Sequence, residues 1–414
     1  MKSWIVMTLG WTLALPLQVA AQSVIPSDLP PAELARAAIE QEPSVVRARY
    51  ALDAAGHAGR RIAASPYEWT VGVDGQRRRY DTGGDSNEWA ARIERPIRIG
   101  GKAELDQSLG DATERIARAE LAEARHEAAR ALADLWIDWL AAIQARDLAR
   151  EQLGFAESSV SAVAGRRRAG DASLLDLNAA QADAAEARRQ FDATQVQETK
   201  ASLRLRSRFP SLVMEPPRSL SEPVDLEWDE AQWRERVLVE SDTLRIMQES
   251  LRRAELTAER ARADRIPDPT VGVYTASEAR RSERIVGVSV SIPLGGTYRR
   301  ETMQEALKQV DVTRAELERQ RKEIELATVE VVNDARAAPG RWRLAEQSTQ
   351  IAKENARLGQ RGYSLGEGDL QSLLLLRRQS VAAASASLSA RVEALKARNR
   401  LLVDAHLIWG LADE

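Results

Sequence analysis

The 414-residue sequence predicts a mainly α-helical fold with a small β part, arranged as two internal structural repeats. Three observations predict it. First, motifs return in order. Thr70-Val71-Gly72-Val73 returns as Thr270-Val271-Gly272-Val273, and Arg95-Pro96-Ile97 as Ile292-Pro293-Leu294. Ala169-Gly170-Asp171-Ala172-Ser173-Leu174 returns as Leu365-Gly366-Glu367-Gly368-Asp369-Leu370, so the offsets are 200, 197 and 196. Self-similarity at a fixed period is read before any local pattern. Second, no proline occurs over residues 102–168. A helix of that length spans about 100 Å at 1.5 Å per residue, which suits a coiled coil or a tunnel wall and no ordinary globular core. Third, two short stretches of apolar/polar alternation sit at corresponding places in the two halves, and period two is the signature of a strand.

The elements follow in order. Residues 1–21 carry the marks of a secretory signal peptide: Lys2, an apolar stretch over 4–17, and the small residues Val19-Ala20-Ala21 before a cleavage site near Ala21. The stretch is too short and too interrupted, by Pro16, for a membrane anchor. The mature chain is expected to begin near Gln22, which is not a cysteine, so no N-terminal lipid anchor is implied. Pro30-Pro31 opens a helix expected to run to Ala64, with Leu34, Ala38, Val45, Leu52 and Ala55 on its apolar stripe and a kink at Pro43. Residues 67–80 alternate, a polar turn follows over 81–87, and alternation resumes through Trp89, Ala91 and Ile93 to Pro96. Each strand is near the length that a tilted membrane β-strand needs.

The long helix opens on Leu105, Leu109, Ala112, Ile116 and Ala119, a heptad spacing. Gly170 marks a tight turn, and a helix returns over 173–208. Residues 209–228 hold four prolines and read as a connector. The second copy repeats the plan: helix 229–265, strands 270–277 and 284–294, long helix 297–363, turn 366–368 and helix 369–411. Ala337-Ala338-Pro339-Gly340 is expected to kink or locally unwind the second long helix. The domain plan is therefore a signal peptide (1–21), a first repeat (22–208), a connector (209–228) and a second repeat (229–411).

Composition narrows the function. The formal net charge of −3 balances 59 basic against 62 acidic residues, which argues against a nucleic-acid partner. With no cysteine, neither disulfides nor thiolate chemistry are possible. His57, His126 and His406 are the only histidines, and none has another at i+4, so no helical metal pair is expected and no metal or cofactor is assigned. No Ser/His/Asp set or phosphate loop is discernible, so no enzyme activity is expected. Trp136, Trp139, Leu140 and Ile143 form a stripe read as helix packing. Trp69 and Trp89 lie on strands, either as interfacial girdle residues or as simple strand formers. Arg77-Arg78-Arg79 and Arg166-Arg167-Arg168 are charge runs of the kind that is usually solvated, the first lying near a hairpin end where anionic lipid could meet it.

The duplicated series of helix-Pro-strand junctions (Ser65-Pro66-Tyr67 and Ile266-Pro267-Asp268-Pro269), strand-Pro-Gly-Gly-helix junctions (96–101 and 293–296) and two hairpin tips resembles the TolC-like outer membrane factors. These are the exit ducts of tripartite efflux pumps and type I secretion. The resemblance covers residues 31–411, and Ser173-Leu174-Leu175-Asp176-Leu177 is most similar to the CzcC-like branch, which serves heavy-metal efflux pumps of the RND class. It implies four strands per protomer in a twelve-stranded transmembrane β-barrel, a long α-helical barrel, and a homotrimer in the outer membrane with a large periplasmic portion. The implied partners are a periplasmic adapter, an inner-membrane transporter and outer membrane lipid. Elementary physics runs the same way, because membranes tolerate only closed barrels and two hairpins cannot close one alone.

The resemblance also implies a site. The tips Ala169, Gly170, Asp171 and Leu365, Gly366, Glu367, Gly368 would dock the adapter. Asp171, Asp176, Glu367 and Asp369 would form the periplasmic gate, where rings of carboxylates favour cations. The plainer reading of these residues is turn glycines and helix caps by Asp171 or Asp369. Ser372 and Leu375 stand where the family's type example carries lumenal aspartates, while Asp176 matches in the first repeat. The competing function is a soluble periplasmic coiled-coil adapter or scaffold, which would have no need of two strand hairpins.

Overall fold

The computed structural model describes residues 26–217 and 219–410. The signal peptide expected over residues 1–21 lies outside the described residues. Among the described residues the chain forms eight α-helices and four strands: α1 Ala32–Glu40, α2 Pro43–Ala64, β1 Thr70–Arg79, β2 Asp85–Pro96, α3 Lys102–Ala169, α4 Leu174–Arg208, α5 Glu230–Glu240, α6 Asp242–Ala263, β3 Thr270–Glu278, β4 Glu283–Ser291, α7 Thr297–Leu365 and α8 Leu370–Asp404. A short 3-10 turn, Ala279–Arg281, joins β3 to β4. The fold is mainly helical with one small sheet, as expected.

The boundaries correct the sequence reading in three places. The first expected helix is two helices, because Glu42 ends α1 and caps α2: its carboxylate accepts the Ser44 amide at 2.7 Å and the Val45 amide at 3.3 Å. Pro43 then sits at N1, where a missing N–H costs nothing. Likewise Ser241 splits the helix expected over 229–265 by accepting the Leu244 amide at the start of α6. At the other end, α8 stops at Asp404, short of the expected end at 411. His406 takes a left-handed φ of +54° there, and the chain turns so that the Trp409 indole donates to the Pro30 carbonyl at 3.0 Å. In α7 the expected unwinding at Pro339 does not occur, and the helix is continuous from Thr297 to Leu365.

The sheet is antiparallel and open, in the order β1-β2-β3-β4. Its middle joint pairs β2 with β3, from Trp89↔Ser277 to Pro96↔Thr270, so the hairpins of the two halves form one sheet. The helices pack as α3 with α4 and α2, and α7 with α8 and α6. The largest core lies about midway along the long helices, where Leu132, Trp136, Ile137 and Leu140 of α3 meet Ile39, Val45, Phe209, Leu220, Leu395 and Trp409. Trp136 and Trp139 meet edge to face at 5.4 Å, and the Trp136 indole donates to the Asp28 carbonyl at 2.5 Å. The tryptophan stripe is therefore helix packing. Phe209 and Leu220 bring the proline-rich segment into this core.

Candidate functional site: sheet wall and helical tips

The sheet has two chemically opposite faces. The row Val71↔Ile93↔Val273↔Val288 runs across all four strands on one of them. These four side chains are exposed to between 39% and 73%. Trp69, one residue before β1, and Trp89 share that face and are exposed. Trp89 pairs with Gly75, six residues beyond Trp69, so the two indoles stand about 20 Å apart along the strand at about 3.3 Å per residue.

The opposite face is polar. Arg92 pairs with Asp74, and Gln76 donates to Glu88 at 2.8 Å. Arg78 lies 3.2 Å from both Glu88 and Glu278, bridging the two hairpins. The arginine run therefore divides by strand alternation. Arg78 joins the polar face, whereas Arg77 and Arg79 reach Asp85. Gly287 faces Tyr274 on this side, and a Cβ there would fall 2.6 Å from the tyrosine ring.

Below the sheet, a buried lock ties strands to helices. The Lys102 ammonium donates to Asp268 at 2.7 Å and to the Ile266 carbonyl at 2.6 Å. Asp268 also accepts the Ile99 amide at 3.1 Å and the Tyr67 hydroxyl at 2.9 Å. Beside it, Asp106 takes Arg98 at 2.8 Å and Arg260 at 2.6 Å. Sequence reading found the helix-Pro-strand junctions but none of these partners; the Lys102–Asp268 contact spans 166 residues and the Tyr67–Asp268 contact 201.

At the far end of the long helices lie the two tips. Gly170 and Gly366 adopt φ of +88° and +80° and close their helices with matching hydrogen bonds. The amide of Asp171 donates to Arg166 O at 2.8 Å, and that of Glu367 to Gly362 O at 2.9 Å. A left-handed residue closing a helix this way favours glycine on steric grounds alone. Ser173, not Asp171, caps α4. Its hydroxyl accepts the Asp176 amide at 3.0 Å, and the Asp176 carboxylate accepts the Ser173 amide in return. Serine at this position with a carboxylate three residues on makes the reciprocal capping box. Asp369 caps α8, accepting the Ser372 amide at 2.9 Å.

The two tips pack on each other. Arg166 stacks over the Tyr363 ring at 4.6 Å, and Val163 and Ala180 pack with Leu370, Leu373 and Leu374. The Ser173 backbone amide and hydroxyl hold the Asp176 carboxyl below the usual carboxylate range, opposed by slight burial and by the Asp369 charge. The Ser372 amide and hydroxyl do the same for Asp369. Asp171, Glu367 and Asp369 are exposed, as are Leu174, Leu175 and Leu365. The tip residues named from the sequence thus share one end of the molecule. Caps and turn glycines account for their local geometry, and beside Leu365 two further exposed leucines, Leu174 and Leu175, which the sequence reading did not place among the docking residues, lie among them.

His57 stands apart on α2, but His126 and His406, 280 residues apart in sequence, meet at 2.9 Å. The i+4 rule could not detect a pair drawn from two distant elements.

A small open sheet with one apolar and one charged face, set on helices of 68 and 69 residues, defines the fold of the TolC-like outer membrane factors. Solved structures bear this out. The outer-membrane channel OprN superposes with a TM-score of 0.78 at 16% identity, covering 94% of this chain and 95% of that one. The outer membrane protein VceC from Vibrio cholerae gives 0.75 at 15% identity, over 90% and 95% of the two chains. The open state of the MtrE outer membrane channel from Neisseria gonorrhoeae gives 0.64 at 19% identity, over 92% and 89%. No protein-family model matches the sequence, and no curated protein does. No helix among the described residues is long and apolar enough to cross a membrane.

Proposed function

We propose that the chain is one protomer of a passive, trimeric outer membrane channel, the exit duct of a tripartite efflux system. The observation that carries the reading is the open sheet. β1 and β4 each have one partner, leaving two strand edges on a surface whose outer row is valine and isoleucine. Unpaired edges in a bilayer are untenable, and closure with neighbouring copies removes them. Strands of 9 to 12 residues match a tilted membrane span. Trp69 and Trp89, on the face of the apolar row, are residues of the kind that form the aromatic girdles of such a barrel. Twelve strands from three copies close the ring, with the apolar face to lipid and the charged face to the lumen.

The helices support the same assembly. α7 leaves Val312, Leu326, Leu344, Ile351 and Leu358 exposed, faces that neighbouring copies would cover. The chain then consists of two repeats, 22–208 and 229–411, joined at 209–228, behind a cleaved signal peptide. The tips, with Leu174, Leu175 and Leu365 exposed, offer the apolar surface an adapter hairpin needs. Asp171, Asp176, Glu367 and Asp369, repeated three times, would make an acidic mouth that favours cations. The inner-membrane partner is an RND-type pump, with heavy-metal cations as the candidate cargo. Structural neighbours that are channels rather than enzymes support a non-catalytic role.

The test is the mass and location of the mature protein after mild detergent extraction. A trimer from the outer-membrane fraction that conducts ions in planar bilayers is expected. A soluble periplasmic monomer or dimer would overturn the channel and leave the coiled-coil scaffold.

A further inference from the structure

We infer that His126, Asp242 and His406 form a binding site for a divalent transition-metal cation of the zinc type, fastening both halves of the chain at the level of the main core. His126 comes from α3, Asp242 is the first residue of α6, and His406 lies in the turn after α8. His126 Nδ1 and His406 Nε2 are 2.9 Å apart. Asp242 Oδ2 lies 3.7 Å from the first and 3.6 Å from the second. A point equidistant from these three atoms is about 2.0 Å from each, the length of a zinc–imidazole or zinc–carboxylate bond. Side-chain exposure is 3% for both histidines and 1% for the aspartate.

The surroundings have the form of a metal second shell. Ligating histidines turn their remote nitrogen to a carboxylate, which fixes the ring and raises its basicity. His126 Nε2 faces Asp404 Oδ1 at 3.3 Å, and Arg130 holds that carboxylate at 2.7 Å. His406 Nδ1 faces Glu240 Oε2 at 3.6 Å. Two buried atoms here, Asp242 Oδ1 and His406 Nδ1, have no hydrogen-bond partner among the described residues, although Arg245 stands 3.2 Å from the former. A cavity of about 270 Å³ opens beside His126 and Asp242, bordered by Glu123, Ser241 and Thr243, with room for a water as fourth ligand.

The backbone is committed to this arrangement. His406 holds φ +54° while its amide donates to Val403 O at 2.9 Å and the next amide to Leu402 O at 2.8 Å. This is the left-handed closing turn of α8, with the same hydrogen bonds as at Gly170 and Gly366, and it fixes where the imidazole stands. Burial opposes charge on His126, yet Asp242 and Asp404 hold it above the usual imidazole range. Burial and the neighbouring His126 push His406 below that range. Two imidazoles and a carboxylate suit zinc, cobalt or nickel, whereas calcium and magnesium prefer oxygen alone and copper(I) prefers sulfur.

The test uses the chelator-treated, full-length mature protein in detergent, titrated with Co2+ and then Zn2+. One Co2+ per chain with the intense visible bands of a tetrahedral site is expected, displaced by Zn2+, with a rise in melting temperature on Zn2+ addition. His406→Gln and His126→Gln should each weaken binding by about tenfold or more, and His57→Gln should leave it unchanged. If the two site variants misfold, X-ray absorption of the cobalt-loaded wild type decides, with two imidazole ligands expected. No binding by the wild type, binding indifferent to the site variants, or a metal shell without two imidazoles would overturn the site. These readouts do not depend on conduction, so they stand or fall apart from the channel.

Discussion

Asp268 shows how one carboxylate can couple the sheet to the helical body. It receives an ammonium, a backbone amide and a phenol, and both it and Lys102 are almost fully shielded from solvent. Removing one partner of a buried pair strands the other charge, at a cost of about 3–5 kcal/mol. Asp268→Ala should therefore lower the melting temperature of the detergent-solubilised protein sharply, and an unchanged melting point would mean that the lock is incidental. The same residue predicts a pH dependence. Burial acts to raise its pKa, but Lys102, the Ile99 amide and Tyr67 outweigh it and hold the carboxyl below the usual range. The folded value lies below the unfolded one, about 3.9. The stabilisation is thus complete above that pH and is lost as the pH falls through the folded value. Wild type should lose stability on acidification below about pH 4, and Asp268→Ala should lack that component. None of this was legible in the sequence, where Ile266-Pro267-Asp268-Pro269 reads only as a break between elements.

The elements were far more legible than their contacts. Heptad spacing, alternation and the glycine turns located every strand and both long helices, because each is a local consequence of period and backbone preference. The splits at Glu42 and Ser241 were missed although capping residues stood in plain sight, since an apolar stripe continues across both gaps. The tips were found from Gly170 and Gly366, while the histidine pair was invisible because it joins α3 to the end of α8. Helix crossing is equally non-local. At the contact of α2 with α3, a methyl group on Gly59 would lie 2.8 Å from Gly110 O, and one on Gly110 would lie 2.6 Å from Gly59 O. The two backbones touch because both residues lack a side chain. Gly110→Ala should force them apart and cost about 1–3 kcal/mol. Gly154→Ala, on the same helix with nothing within 4 Å, should instead stabilise by up to about 1 kcal/mol. Thermal unfolding of the two variants checks this, and equal shifts would show that the close approach carries no weight.

At the scale of the whole molecule the decisive feature is that one sheet offers valine to one side and ion pairs to the other. In water this would be an exposed apolar surface in want of a cover. In a bilayer the cover is lipid, and the charged face lines an aqueous lumen. The two environments can be told apart with a single charge. Val288 lies near the middle of β4, in the apolar row and 73% exposed. Ser291 lies on the same strand, at odd spacing from Val288, and faces the polar side. Val288→Arg should destabilise the barrel by about 2–4 kcal/mol, the cost of arginine at the bilayer midplane, and deplete assembled protein from the outer membrane. Ser291→Arg should leave assembly intact and shift ion selectivity towards anions, because its charge joins the lumen. Denaturant unfolding in lipid measures the first effect, and reversal potentials across a salt gradient measure the second. Equal tolerance of both substitutions would mean that the valine face meets protein or water, and the barrel would then have to be abandoned however closely the backbone follows that of known channels.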